Sequence, residues 1–210
     1  MYLSADKVEE AFRKLSEVAR HGNLDCVQQN RIPVSVEDVI TVTAEVTGYS
    51  IEKYLVDFEG RHVRGEIEKY KKEKRAVIYI RKEQDEADRR FATVKEAMQL
   101  IIDEQEDCNP YGEQTIDALV ADAYFGPGDG NKEPADEHLQ SEMIAEWAAL
   151  EVMYPYEVRL VDEQSIKGGE TSINALALNY ELPAEIVAKA LHSRYMAIAS
   201  EVWSRLQKLK

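Results

Sequence analysis

Apolar positions recur along this chain with two different periods. In residues 4–20, Val8, Ala11, Phe12, Leu15, Val18 and Ala19 share one side of a helix that Ser4 or Asp6 can cap and Gly22-Asn23 ends. Arg31-Ile32-Pro33 is extended, because proline disfavours helix in the residue before it. A second helix starts at Ser35, whose hydroxyl suits an N-cap. Glu37 and Asp38 favour the positive end of its dipole, Val39, Ile40, Val42, Thr43 and Val46 form its buried side, and Gly48 stops it.

The period then falls to two. Residues 51–58 predict a first strand, and Glu59-Gly60 a hairpin turn into a second at 61–70, where Val63, Gly65 and Ile67 alternate with charged neighbours. Lys71 to Lys74 form a basic turn. In the third strand, 75–81, Ala76, Ile78 and Ile80 face one way and Val77 and Tyr79 the other, the pattern of a strand buried on both sides.

From about Gln84 the helical period returns. Ala87, Phe91, Val94, Met98 and Ile101 recur at three- and four-residue steps, until acidic residues 103–107, unfavourable at a helix C-terminus, fray the helix by Glu104. Residues 113–124 predict another helix, and 126–136 a flexible loop rich in glycine and proline. A helix over 137–153 stops at Pro155. Residues 156–170 read as a poorly patterned connection closing on Gly168-Gly169. Helices over 171–180 and 183–191, continuing to 209, complete the chain, with Pro183 suited to a first helical position. Hairpins followed by helices imply an α+β layer architecture.

The length of 210 residues suits one domain, with 1–34 as an N-terminal helical extension and 171–210 as C-terminal helices packed on it. Lys and Arg number 26 against 40 Asp and Glu, a formal charge of −14. That excess disfavours binding to a phosphate backbone and leaves solubility or a basic protein partner as its use. Cys26 and Cys108 form no C-x-x-C unit, which points to a reduced, cytoplasmic protein. The start MYLSADKVEEAF lacks the basic and apolar regions of a signal peptide, and no apolar run reaches membrane-spanning length.

Chemistry concentrates in DEADRRFATVKEAMQLII, residues 85–102. Lys95 and Gln99 are four apart and share a helical face, with Glu96 beside them. This is the frame of the zinc helix H-E-x-x-H with both histidines replaced. RRFATVKEAMQLII resembles the R-x-R-F-T-x-A-H-E-x-G-H segment of the ImmA/IrrE metallo-endopeptidase family. EMIAEWAALEVMYP, residues 142–155, is similar to that family's E-x-x-A-N-x-F-A-x-x-L-L-M-P signature, with Glu142, Ala145, Ala149 and Pro155 in place and Glu146 and Ala148 replacing its Asn and Phe. LALNYELPAEIVAKAL, residues 176–191, resembles a third family segment and also reads as a helix-turn-helix; the scarcity of flanking basic residues favours a packing role.

The resemblance runs from Ser35 to Leu191. It implies a zincin-like fold in which Lys95, Gln99 and Glu142 stand at metal-ligand positions and Glu96 at the general-base position. An ammonium offers no lone pair and an amide oxygen is a weak zinc ligand, so the expectation is no metal, no cofactor and lost peptidase activity. Lys95 can instead place its charge where the metal would lie, facing Glu142, while Gln99 donates to a carboxylate. The plainer alternative is that Lys95, Glu96 and Gln99 form an exposed polar face. The functional expectation is a non-catalytic binding or regulatory protein, related to phage or mobile elements, whose partner is a helix-turn-helix repressor or another protein. The alternative is a hydrolase using Glu96 and Glu142 in a non-standard site.

Other chemistry is sparse. His21, His62, His138 and His192 are scattered, although His138 lies one helical turn before Glu142. Asp129, Asn131 and Glu133 lack the frame of a calcium loop. No nucleophile elbow, P-loop or dinucleotide fingerprint is present.

Overall fold

The computed structural model describes residues 33–59, 63–102 and 135–208. The helices expected at 4–20 and 113–124, both cysteines, His21, His62 and the Asp129, Asn131 and Glu133 loop lie outside the described residues. Within them the chain is mixed α and β, with three strands and seven helices: α1 (Val36–Thr47), β1 (Ser50–Val56), β2 (Gly65–Tyr70), β3 (Arg75–Arg81), α2 (Glu86–Ile102), α3 (Ala135–Met153), α4 (Tyr156–Lys167), α5 (Ile173–Tyr180), α6 (Ala184–Ala190) and α7 (Ser193–Lys208).

Local chemistry sets the ends of α1. The Asp38 N–H donates to Ser35 Oγ at 3.2 Å, an N-cap worth about 1 kcal/mol. Gly48 ends the helix at φ 69°, where a side chain would be strained, and donates its N–H to the Ala44 carbonyl. Val36, Val39, Val42 and Thr43 are buried, whereas Val46, expected on that side, is 38% exposed.

The strand order is β1-β3-β2. β1 runs parallel to β3, with Ile51 opposite Ala76, and β2 runs antiparallel, with Gly65 opposite Ile80. The hairpin expected between the first two strands is therefore absent, since β1 and β2 do not pair. The burial of β3 explains this. Ala76, Val77, Ile78 and Ile80 are each at most 1% exposed, so β3 takes the centre, while the charged alternation of β1 and β2 suits edges. The basic turn after β2 does close a hairpin onto β3, with Lys74 at φ 50°.

One apolar cluster joins Ile78 and Ile80 of β3, Val36 and Val39 of α1, Phe91, Val94 and Met98 of α2, Ala149 and Met153 of α3, and Leu182, Ile186 and Val187 of the C-terminal stretch. Each large apolar side chain buried there contributes about 1.5–3 kcal/mol. The packing fixes α2 between the sheet and α3.

Residues 156–170, expected to be an irregular connection, mostly form α4. Its inward face hides the helical pattern because it mixes polar residues with Val158 and Ile166, which pack against the core. Arg159 is fully buried and pairs with Glu151, which also accepts the Tyr156 N–H at the start of α4. Burial lowers the Arg159 pKa to about 9, which leaves the guanidinium charged at neutral pH and dependent on Glu151. Asp162 accepts hydroxyls from Tyr154 at 2.8 Å and Tyr180 at 2.7 Å. Meanwhile Leu160 and Val161 are exposed.

The C-terminal stretch breaks into three helices. Ser172 caps α5 by accepting the Ala175 N–H. Pro183 stands one residue before α6, at its cap. Tyr180, Leu182, Val187 and Ala190 are buried in the core, so the helix-turn-helix-like segment packs. Lys189 pairs with Glu146 of α3, Arg64 with Glu185 and Arg90 with Glu181. Among the described residues no helix is long and apolar enough to cross a membrane.

Candidate functional site

The site lies where α2 passes between β2 and α3. Periodicity puts Phe91, Val94 and Met98 into the core, and the adjoining face carries Lys95, Glu96 and Gln99. That face is covered by neighbours. Glu96 is 2% exposed and Gln99 7%.

The Lys95 ammonium lies 3.2 Å from Glu96 Oε1 and pairs with Glu142 Oε2 of α3. Gln99 donates its amide to the other Glu142 oxygen, Oε1. The structure thus brings together all four residues singled out from the sequence, and the exposed polar face is not what forms. His138 belongs to the same helix as Glu142, and His192 follows α6, where its Nδ1 accepts the Arg194 N–H.

Two residues the pattern did not single out complete the surroundings. Gly65 of β2 sits against Glu96: a Cβ there would lie 3.2 Å from Glu96 Cγ and 3.0 Å from Ile80 Cδ1. A side chain there would press on Ile80 and Glu96, so glycine suits this close approach of the strand. Lys69, on the same face of β2, donates to the Gln99 carbonyl at 3.4 Å.

The charges divide unequally. Burial works against the Lys95 ammonium, but Glu96 and Glu142 outweigh it and hold its pKa above the ordinary lysine value. Burial pushes the Glu96 carboxyl up, Lys95 opposes this, and Glu142 adds to it. Lys95 is therefore a fixed cation rather than a nucleophile. Glu96, enclosed by Gly65, Ile80 and Lys95, meets no substrate atom unless the cluster opens.

The donor set does not fit the zinc ion that the resemblance implies at these positions. Lys95 is held protonated and has no lone pair, and Gln99 turns its amide N–H, not its oxygen, to Glu142. Among the described residues no group of three or more His, Cys, Asp or Glu is placed to hold a metal ion. No family model, curated protein or solved structure matches the chain.

Proposed function

We propose that this chain is an ImmA/IrrE-like, zincin-like protein in which a lysine stands where a metal ion would be, and that it binds a protein partner without cutting it. The observation that carries the reading is the Lys95 ammonium held between Glu96 and Glu142, with Gln99 on the second Glu142 oxygen. An internal cation at this point lets two acidic side chains converge without a metal, so the fold persists while the chemistry is lost. A helix-turn-helix repressor is the partner class that the family resemblance suggests.

The hydrolase alternative has one observation on its side, the upward shift of the buried Glu96 carboxyl, which suits a general acid. The 2% exposure of Glu96 counts against it. Elemental analysis after dialysis against zinc, together with a peptidase assay on an unfolded protein substrate, tests the proposal. The expected result is no stoichiometric zinc and no cleavage. Stoichiometric zinc that is lost on Glu142→Ala, or cleavage lost on Glu96→Gln, contradicts it.

A further inference from the structure

The face of the sheet turned away from α2 carries a separate arrangement. Strand alternation places Glu52 and Tyr54 of β1, Arg75, Val77 and Tyr79 of β3, and Glu66, Glu68 and Tyr70 of β2 on this side. Registry sets them in rows across the sheet: Glu52, Val77 and Glu68 in one, and Tyr54, Tyr79 and Glu66 in the next. Tyr54 is 50% exposed and Tyr70 36%. The Tyr54 and Tyr79 rings stack with centroids 6.3 Å apart.

Carboxylates hold every ring in place. The Tyr54 hydroxyl donates to Glu52 at 2.7 Å. The Tyr70 and Tyr79 hydroxyls donate to the same Glu68 oxygen at 2.5 and 3.2 Å. Rings fixed in this way lose little freedom on binding, as suits contact aromatics.

One guanidinium already sits in such a setting. Arg75 lies 4.2 Å from the Tyr70 ring centroid and 3.7 Å from Glu52. The neighbouring part of the face repeats rings and carboxylates, yet among the described residues neither Glu66 nor Glu68 has an ion-pair partner. Burial and the nearby Glu68 push the Glu66 carboxyl up, so added positive charge is favourable there.

We propose that this face docks an arginine-rich segment of a partner protein, with guanidinium groups stacking on Tyr54 and Tyr79 and pairing with Glu66 and Glu68. Charge selects the class of partner. Exposed aromatics on a sheet also suit single-stranded nucleic acid, but Glu66 and Glu68, which no ion pair neutralises among the described residues, repel its phosphates. Arginine is favoured over lysine because its planar group both stacks and pairs bidentately. The face lies on the opposite side of the sheet from Lys95, so the inference stands apart from the reading of that cluster.

Fluorescence anisotropy with a labelled arginine–glycine repeat peptide on the full chain tests it. Tyr54→Ala and Glu68→Gln are each expected to weaken binding by about tenfold. Tyr54→Phe, which keeps the ring, retains most of the affinity. Glu170→Gln, the same charge change on the loop after α4, leaves it unchanged, and a lysine–glycine peptide binds more weakly. Far-UV circular dichroism checks that each variant folds, and the two surface sites make the test independent of either one. Absence of peptide binding overturns the proposal. So does equal weakening by Glu170→Gln, or oligouridine binding as tight as the arginine peptide.

Discussion

The Lys95 ammonium of α2 pairs with the Glu142 carboxylate of α3, tying together two helices that residues 103–134 separate in sequence. The two acidic partners of Lys95 do not depend on it equally. The Glu142 side chain is 40% exposed and keeps water if the lysine is removed, whereas that of Glu96 is 3% exposed.

Lys95→Ala is therefore expected to destabilise mainly by stranding Glu96. The cost is about 3 kcal/mol, the low end for breaking a buried pair, since Glu96 can escape by taking a proton. Urea unfolding of Lys95→Ala, Glu96→Gln and the double variant gives the coupling. Most of the lysine's effect disappears in the Glu96→Gln background. An equal loss in both backgrounds assigns the stabilisation to Glu142 instead.

The same cluster sets a pH signature. The Glu96 carboxyl is raised in the folded chain, so the folded state holds its proton to higher pH than the unfolded state. Its favourable contribution is present below about pH 4 and is lost as pH rises through the folded value. The Lys95 pKa is raised too, so its contribution is complete below about pH 10.4 and lost as pH rises beyond that. Unfolding curves should show Glu96→Gln gaining on the parent from acid toward neutral pH, and Lys95→Ala losing its disadvantage only in strong alkali.

Gly65→Ala should cost about 1–3 kcal/mol, because its Cβ meets Ile80 Cδ1 at 3.0 Å and crowds Glu96. Ile80→Val removes that terminal carbon. The pair of substitutions is expected to be less harmful than their sum in thermal unfolding.

Asp162 offers a single oxygen to two tyrosines whose rings lie 4.7 Å apart. Asp162→Ala leaves the fully buried Tyr154 hydroxyl without its acceptor and should cost about 2–3 kcal/mol. Tyr180→Phe should cost about 1 kcal/mol. Burial and Asp162 raise both tyrosine pKa values, so an ultraviolet titration should leave these two hydroxyls unionised until the chain unfolds in alkali.

Legibility in the sequence followed the strength of each local signal. Ser35 and Gly48 declared α1 through a cap and a stop, and the spacing of Lys95 and Gln99 put both on one face of α2. The approach of Glu142 was readable only through the resemblance, because no periodicity links residues so far apart in the chain. Strand order was not legible at Glu59-Gly60: turn chemistry there suits a hairpin, while the two-sided burial of Val77 and Ile78 puts β3 at the centre of the sheet. α4 is hard to read because Arg159 and Asp162 share its inner face with Val158 and Ile166 while Leu160 and Val161 lie exposed, which blurs the apolar stripe. The tyrosine face was hidden similarly, since Tyr54, Tyr70 and Tyr79 come together only once β3 lies between β1 and β2.

The most direct test of the lysine-for-metal reading is the zinc affinity of Lys95→His with Gln99→His, measured by calorimetry beside the same double variant carrying Glu142→Ala. Two imidazoles on the α2 face, with Glu142 opposite, make a three-ligand site with one open position. The expected result is tight binding that releases protons, raises the melting temperature and is lost with Glu142. A double variant that folds, yet binds zinc no better than the parent chain, contradicts the reading.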